Sequence, residues 1–322
     1  MSFVFVFPGQ GSQSVGMLSA LATAERAVRS TFAEASGVLG YDLWRLVSEG
    51  PEEALNATER TQPAMLAAGV ATWRVWLEHG GAAPATVSGH SLGEFTALTC
   101  AAALEFTAAI ELVRFRGQLM QQAVPAGSGA MAAVLGLEDE TIVALCREVA
   151  RGAVVEPVNF NSPGQVVIAG EAAAVQRALQ AAKLRGAKRT VMLPVSVPSH
   201  SSLMRAAGER LRERLAALTL QPPRIRYVSA VDARAHASPD DIRDVLVRAL
   251  SSPVRWTQTL RALSAGDTAQ VIECGPGRVL TGLNRRIERR PGLSFLAIED
   301  PASLQAALEA TQGGGGGENQ HG

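Results

Sequence analysis

Residues 89–93 have the sequence Gly-His-Ser-Leu-Gly, and this pattern limits the possible folds more than any other feature of the chain. A short strand is predicted before it, over 86–88, and a small, alanine-rich helix after it, over 93–104. G-x-S-x-G between a strand and a helix predicts a sharp turn that raises the Ser91 hydroxyl above a sheet. The glycines tolerate strained backbone and close approach of helix to strand, and the helix N-terminus favours developing negative charge. A chance turn that contains a serine is the alternative.

Strands and helices alternate along most of the chain, which predicts a mainly parallel sheet with helices on both faces. The strands are predicted at 3–7, 86–88, 130–136, 154–159, 165–170, 188–193, 225–229, 269–273 and 293–297. The helices are predicted at 61–79, 93–104, 106–123, 138–150, 171–184, 201–218, 239–250, 256–265, 279–290 and 302–310. Residues 313–322 begin with five glycines and are predicted to form a disordered tail.

The middle of the chain has an order of its own. Between 130 and 193 the predicted elements follow the order β-α-β-β-α-β, which is the ferredoxin-like arrangement. The segment is entered through a flexible stretch at 125–129 and left at Pro194. We therefore predict a large α/β domain, formed by 1–127 and 196–312, into which a small domain, 128–195, is inserted.

The composition excludes several functional classes. Lys plus Arg and Asp plus Glu both total 30, so bulk binding to nucleic acid or to an anionic membrane is not expected. No stretch approaches the ~20 apolar residues that span a bilayer, and the apolar run at the N-terminus is too short for a signal peptide. Cys100, Cys146 and Cys274 are odd in number and far apart. We therefore expect no disulfide framework and no zinc site, and we expect a cytoplasmic location.

A serine hydroxyl becomes a good nucleophile only when a base accepts its proton, and histidine is the commonest base. Of the five histidines, His321 lies in the tail and His79 ends a surface helix. His236 lies in a polar stretch, and His90 is expected to point away from the serine across the turn. His200 remains, where a loop enters a helix and the ring can face a pocket. A helix-capping or structural histidine is the alternative.

Attack by a serine on a carbonyl group also requires hydrogen-bond donors for the tetrahedral oxyanion. The N–H of Leu92, directly after the serine, is one candidate. The segment 8–13, Pro-Gly-Gln-Gly-Ser-Gln, is another, because its glycines let N–H groups converge on a small anion. A plain glycine-rich turn explains the segment 8–13 equally well.

Six motifs occur in the same order as in one known enzyme family. They are F-P-G-Q-G-S-Q at 7–13, G-H-S-L-G-E at 89–94, R-G at 116–117, N-F-N-S-P-G-Q at 159–165, P-S-H at 198–200 and G-P-G at 275–277. Over about residues 3–308 the sequence closely resembles the malonyl-CoA:acyl carrier protein transacylases, the free-standing acyltransferases of bacterial fatty acid synthesis. The resemblance implies a hydrolase-like α/β core with an inserted ferredoxin-like domain, which the order of elements also predicts.

The resemblance implies catalytic roles at the matching positions. Ser91 corresponds to the nucleophile and His200 to the general base, and the N–H groups of Gln10 and Leu92 correspond to the oxyanion hole. The site departs from the usual hydrolase triad, because no acidic residue is clearly placed to orient the histidine. In this family a backbone carbonyl does so, and the matching residue is Ala249. Some relatives have a longer polar residue there, and alanine keeps only the carbonyl.

The resemblance also implies residues that bind the substrate. Arg116 corresponds to the partner of the free malonyl carboxylate, and a planar guanidinium can hold a carboxylate through two hydrogen bonds. Arg114 lies two positions earlier on the same predicted helix and should face nearly the opposite side. Two solvated arginines are the alternative. Asn161, on a turn beside the cleft, is implied to position the substrate. Ser199 departs from the pattern, because serine is not the residue most associated with malonyl in related polyketide acyltransferase domains.

The implied reaction moves malonyl from malonyl-CoA to the phosphopantetheine thiol of acyl carrier protein through a serine-bound malonyl ester, for fatty acid synthesis. These two partners are implied, together with no metal or redox cofactor, and we expect a monomer. Acyl carrier proteins are acidic, so docking is expected on basic residues, with Lys188, Arg189, Arg285 and Arg286 as candidates. The alternatives are a serine hydrolase or thioesterase, an acyltransferase of a polyketide or malonate pathway, and an acyltransferase-like module that only docks partners.

Overall fold

The structure, a computed structural model, describes residues 2–195 and 197–312. Its strands are β1 (Ser2–Phe7), β2 (Thr86–Gly89), β3 (Gly129–Leu135), β4 (Val155–Ser162), β5 (Gln165–Glu171), β6 (Arg189–Met192), β7 (Arg226–Ser229), β8 (Arg234–His236), β9 (Thr268–Cys274) and β10 (Ser294–Ile298). The predicted tail, 313–322, and His321 within it lie outside the described residues.

Helices connect most of these strands. They are α1 (Ser19–Ala24), α2 (Arg26–Leu39), α3 (Leu43–Glu49), α4 (Glu52–Leu55), α5 (Thr58–Glu78), α6 (Gly93–Cys100), α7 (Phe106–Gln122), α8 (Asp139–Ala150), α9 (Ala172–Leu184), α10 (Arg205–Ala216), α11 (Pro239–Arg248), α12 (Trp256–Leu263), α13 (Val279–Ile287) and α14 (Pro301–Gln312). A 3-10 turn, Ser202–Met204, directly precedes α10. Within the described ranges, no helix has the length and apolar character needed to cross a bilayer.

The larger sheet has the strand order β10-β9-β1-β2-β7-β8, and its pairs are parallel except for the edge strand β8. β1 lies near its centre, where Phe5 pairs with Val87 of β2 and with Ile272 of β9. Alternate residues of β1 face opposite sides: Phe5 packs edge-on against Trp76, whereas Val6 belongs to a second apolar cluster. Helices therefore cover both faces, and the predicted mainly parallel sheet is confirmed.

The smaller sheet has the strand order β4-β5-β3-β6, and all its neighbours are antiparallel. Helices α8 and α9 pack against it around an apolar core that includes Val134, Ile142, Ile168 and Val175. The chain order β3-α8-β4-β5-α9-β6 is the predicted ferredoxin-like order. The two sheets together confirm the predicted fold class. The boundaries of the small domain, 128–195, stay a prediction.

Four helices, α1 to α4, lie between residues 19 and 55, where no element is predicted from the sequence. Helix α2 buries Val28, Phe32, Ala35 and Leu39 on one face, and this helical spacing is visible in the sequence. Helices α1 and α4 have 6 and 4 residues, which is too short for a periodic pattern to appear. Helix α2 packs against α5 and α7.

Two loops of the larger sheet meet above its carboxyl edge. β1 and β2 are parallel neighbours, so the glycine-rich segment after Phe7 lies beside the turn after Gly89. Ligand sites in open α/β sheets form at this edge. The small domain reaches the same region through β4, because Asn159 forms a parallel bridge with Val254 of the large domain.

Candidate active site

Ser91 lies at the turn between β2 and α6, as the motif predicts. Its φ of 56° places the serine itself in the left-handed region, which costs a non-glycine residue about 1–3 kcal/mol. The flanking glycines allow close approach. A Cβ on Gly89 would lie 1.9 Å from the carbonyl carbon of Gly93, and a Cβ on Gly93 would lie 2.0 Å from the carbonyl oxygen of Phe7. Strain is thus located at the serine, and not at the glycines, where the sequence motif predicts it.

His200 connects the serine to a backbone carbonyl. The Nε2 atom of His200 lies 2.8 Å from the Oγ atom of Ser91, and Nδ1 lies 2.7 Å from the carbonyl oxygen of Ala249. A carbonyl oxygen can only accept, so Nδ1 carries the ring proton and Nε2 is free to accept the serine proton. The ring therefore touches the two groups that the resemblance implies.

The surroundings of His200 hold its ring in the neutral form. Burial, together with the positive charge of Arg116, lowers the pKa of His200 from 6.5 to about 3, although the bond to Ala249 acts in the opposite direction. A histidine with this pKa carries no charge near pH 7. Its Nε2 lone pair is therefore available to take a proton.

Arg116 lies on α7 and is 1% exposed. Its Nη2 donates to the Oγ atom of Ser91 at 3.2 Å, and its Nη1 donates to Oε1 of Gln62 at 2.9 Å. Burial lowers the pKa of Arg116 to about 10, and the charge of nearby Glu94 raises it, so the guanidinium stays charged near pH 7. Arg114 points elsewhere, since its Nη1 donates to the carbonyl of Leu39. The structure thus brings one arginine of the pair to the hydroxyl of Ser91.

The candidate oxyanion donors lie on two loops that touch. A Cβ on Gly9 would lie 2.4 Å from the carbonyl oxygen of His90, so only glycine permits this approach of the two loops. The side chain of Gln10 donates to the hydroxyl of Thr58 at 3.3 Å, which fixes the first loop to α5. Gln10 and Leu92 line the same cavity. Their roles as oxyanion donors stay a prediction.

Asn161 and His90 are bonded to each other at the edge of the site. The Nε2 atom of His90 lies 2.9 Å from Oδ1 of Asn161, and the His90 ring packs near Trp256 at 5.6 Å between ring centroids. Burial lowers the pKa of His90, so this ring is also neutral near pH 7. Asn161 therefore has a protein partner, and its contact with substrate stays a prediction.

These side chains line one cavity of about 260 Å³. Ser91, Arg116 and His200 line it from the large domain, and Met131 and Val167 line it from the small domain. Apolar wall residues beside a buried cation lower the local dielectric constant and strengthen charge interactions inside the cavity. The arrangement can activate a serine beside a fixed positive charge, which suits acyl transfer from a substrate that carries a carboxylate.

Comparison with known proteins identifies the family. Residues 4–289 match the family model of the acyl transferase domain. The malonyl CoA-acyl carrier protein transacylase of Escherichia coli strain K12 is 53% identical over 307 residues, which cover 95% of this chain and 99% of that protein. The chain belongs to the malonyl-CoA:acyl carrier protein transacylase family. The resemblance based on the ordered motifs is therefore confirmed.

Other members of the transacylase family are also similar to this chain in sequence and in structure. The Bacillus subtilis malonyl CoA-acyl carrier protein transacylase is 41% identical over 95% of this chain and 96% of its own length. An acyl carrier protein S-malonyltransferase from Vibrio cholerae has a TM-score of 0.92 and 56% identity, over 95% of this chain and 100% of that chain. A malonyl-transacylase solved in complex with its type II PKS acyl-carrier protein has a TM-score of 0.94 and 55% identity, over 96% and 100%.

The structure also places two residues at the site that sequence reasoning missed. Gln62 of α5 holds Arg116, and nothing in its local sequence distinguishes it from other polar helix residues. Glu94 is 1% exposed, and its Oε1 accepts from the Ser229 hydroxyl at 2.7 Å and from the Ala230 N–H at 2.6 Å. Glu94 ends the motif G-H-S-L-G-E, so a signal for it existed. It attaches the helix that follows Ser91 to the end of β7.

Proposed function

We propose that the chain transfers malonyl from malonyl-CoA to the phosphopantetheine thiol of acyl carrier protein through a malonyl ester on Ser91. The observation that carries the proposal is the position of the Ser91 Oγ atom. It lies 2.8 Å from Nε2 of His200 and 3.2 Å from Nη2 of Arg116. The imidazole proposed as the base and the guanidinium proposed to bind the malonyl carboxylate thus both contact the Ser91 hydroxyl.

In the first step, Nε2 of His200 accepts the Ser91 proton while Oγ attacks the thioester carbonyl of malonyl-CoA. The N–H groups of Gln10 and Leu92 stabilise the oxyanion that forms. The carbon–sulfur bond then breaks, and the imidazolium donates its proton to the departing thiolate of coenzyme A. The malonyl group remains as an ester on Ser91.

The second step reverses the roles of the sulfur and oxygen atoms. The phosphopantetheine thiol gives its proton to His200 and attacks the ester carbonyl. The carbon–oxygen bond breaks, and Oγ of Ser91 takes the proton back. Overall, one thioester is consumed and another is formed without any change of oxidation state, so the proposed steps involve no redox cofactor and no metal.

Arg116 supports malonyl as the acyl group that the chain transfers. A buried guanidinium is costly to keep without an anionic partner, and the free carboxylate of malonyl supplies one through two hydrogen bonds. Asn161, bonded to His90 at 2.9 Å, borders the same cavity and is proposed to help position the acyl chain. A serine hydrolase that acts on uncharged acyl groups has no comparable use for Arg116.

The proposal includes a cytoplasmic location, since the three cysteines are free and buried, as is usual in a reducing compartment. The malonyl product supplies fatty acid or polyketide synthesis. Docking of the acidic carrier protein on Lys188, Arg189, Arg285 and Arg286 stays a prediction, as does the monomeric state. Arg286 donates to Gln165 of β5 at 3.0 Å, which places it where α13 meets the small domain.

Incubation with malonyl-CoA, with and without acyl carrier protein that carries phosphopantetheine, tests the function. Mass spectrometry of both proteins should find malonyl on the enzyme without the carrier, and on the carrier when it is added. Release of free malonate at the same rate with and without the carrier would indicate a hydrolase. An enzyme that never gains malonyl would indicate a docking module.

A further inference from the structure

Glu156 of β4 connects the small domain to the segment that carries His200. Its Oε2 atom accepts a hydrogen bond from the Ser202 N–H at 2.7 Å, and its Oε1 atom accepts one from the Ser202 hydroxyl at 2.8 Å. Hydrogen bonds to a carboxylate are stronger than those between neutral groups. Glu156 and Ser202 are both half-buried, which limits competition from water.

Ser202 follows His200 by two residues, and the backbone there needs support. His200 has a φ of 66°, a left-handed conformation that a non-glycine residue keeps only where the surrounding contacts enforce it. The hydroxyl of Ser201 supplies one local contact, to the carbonyl of Pro198 at 2.7 Å. Ser201 is the N-cap residue of the 3-10 turn, but its side chain forms no cap bond. The carboxylate of Glu156 therefore supplies the acceptor that a helix start requires.

The same strand also pairs with the segment that follows the acceptor of the imidazole. The N–H of Val254 donates to the carbonyl of Val158 at 2.9 Å, and the N–H of Phe160 donates to the carbonyl of Val254 at 2.9 Å. Val254 follows Ala249 by five residues, and the carbonyl of Ala249 accepts from the His200 ring. Strand β4 thus contacts both the segment that carries the ring and the segment that carries its acceptor.

We propose that Glu156 is a positioning residue for the general base. By holding Ser202, it keeps the His200 ring between the carbonyl of Ala249 and the hydroxyl of Ser91. Both carboxylate oxygens bond to Ser202, so Glu156 acts on the backbone beside the base, whereas a triad acid would act on the ring. The inference rests on the role of His200 proposed above, and it gives the small domain a part in catalysis beyond lining the cavity.

The test compares Glu156→Ala with Glu156→Gln and with a matched control, Glu171→Ala, in the full chain. Glutamine keeps both contacts, because its carbonyl can accept from the Ser202 N–H and its amide can donate to the hydroxyl. Glu171 also accepts from a backbone N–H, that of Val154 at 2.9 Å, but within the small domain.

We expect Glu156→Ala to slow acylation by malonyl-CoA by about tenfold to a hundredfold, with KM unchanged, because a slightly misplaced catalytic group lowers the rate of the chemical step. The other two variants should stay near wild type.

Phenylmethanesulfonyl fluoride gives a second readout, because it reacts with an activated serine without using the contacts for malonyl or coenzyme A. Labelling of Ser91 should slow in Glu156→Ala in parallel with acylation, and more strongly in His200→Ala. Fast labelling of Ser91 in His200→Ala would show that His200 is not the general base. This result would overturn the proposed role of His200 as well as that of Glu156. Wild-type rates in Glu156→Ala beside slow rates in His200→Ala would overturn the role of Glu156 alone.

Two further outcomes decide the same question. Equal losses in Glu156→Gln and Glu156→Ala, or a loss confined to KM, would overturn the positioning role. If Glu156→Ala does not fold, Ser202→Ala replaces it, since this variant removes one of the two contacts. A loss of about threefold or more in acylation rate, the scale of one hydrogen bond, would support the role, and an unchanged rate would overturn it.

Discussion

The Nη2 atom of Arg116 donates a hydrogen bond over 3.2 Å to the Oγ atom of Ser91, which is 25 positions away in the sequence. Burial and, to a smaller extent, the charge of the same guanidinium lower the pKa of His200. One buried cation therefore touches the Ser91 hydroxyl and helps to keep the His200 ring neutral. In the proposed mechanism it also binds the malonyl carboxylate, so binding of that group and attack on the thioester share one residue.

Arg116→Ala tests whether this cation selects malonyl. Without it, the malonyl carboxylate has a poor partner in a partly desolvated cavity, at a cost of about 2–5 kcal/mol. We expect kcat/KM for malonyl-CoA to fall accordingly, and kcat/KM for acetyl-CoA, which has no free carboxylate, to fall much less. Arg114→Ala is the matched control on the same helix, because Arg114 donates to Leu39 instead. Equal losses of kcat/KM for the two substrates would show that Arg116 does not select malonyl over acetyl.

Gln62→Leu tests the support of that cation. Oε1 of Gln62 accepts from Nη1 of Arg116 at 2.9 Å inside the protein, and leucine of similar size leaves this buried donor unpaired, at about 1–3 kcal/mol. We expect the ratio of kcat/KM for malonyl-CoA to kcat/KM for acetyl-CoA to fall, as in Arg116→Ala, but by a smaller factor. Gln118→Leu is the control, since Gln118 bonds to Glu59 away from the guanidinium. Steady-state kinetics with both thioesters would show an undiminished preference if the idea is wrong.

The sequence predicts the catalytic pair but not the residues that support it. Ser91 is marked by a local motif, and His200 follows by excluding the other histidines. Helical geometry says that only one of two arginines faces the site, and the family resemblance is needed to choose Arg116. The bonds of Gln62 and Glu156 join residues 54 and 46 positions apart. Such pairs form only after the sheets pack, so no local pattern marks them.

The fold is predictable to a similar extent. Alternating strands and helices predict nine of the ten described strands, most of which are apolar runs between turn residues. The edge strand β8 is missed, because its three residues, Arg-Ala-His, form no apolar run. Helix ends are less certain: α6 ends at Cys100 and not at 104, since Ala102 adopts a left-handed φ of 58°. Helices α1 and α4 are too short to leave a periodic signal. These features depend on packing around the chain, which a local pattern does not record.

His200→Ala tests the dyad. Loss of the base should slow acylation by about 10²–10⁴-fold. Asp232→Asn should cost far less, because Asp232 bonds to His236 at 3.1 Å and to Arg248 at 3.3 Å and Ala249 already orients the His200 ring. Single-turnover acylation of both variants gives the comparison. A loss in Asp232→Asn as large as that in His200→Ala would contradict the dyad.

Glu94→Gln tests the buried carboxyl beneath the nucleophile. Burial raises the pKa of Glu94 from 4.5 to about 7, so between these values the folded protein keeps a proton that the unfolded chain releases. Because of this group, the free energy of unfolding of the wild type should therefore decrease as the pH rises from 4.5 to 7. Relative to the wild type, Glu94→Gln should gain up to about 3 kcal/mol over this range.

Urea unfolding at several pH values measures this difference. Glu53→Gln on the exposed surface supplies the control, since it removes a carboxyl outside the core. Parallel stability curves for Glu94→Gln and the wild type from pH 4.5 to 7 would show that Glu94 does not hold a proton in the folded protein.

The most direct test of the central claim is the mass of the enzyme after incubation with malonyl-CoA in the absence of carrier protein. The wild type should gain one malonyl group, which proteolysis should locate on the peptide that contains Ser91, and which added acyl carrier protein should remove. Ser91→Ala should stay unmodified while unfolding at a temperature close to that of the wild type. A malonyl group on Ser91→Ala, or on a different residue of the wild type, would contradict the account.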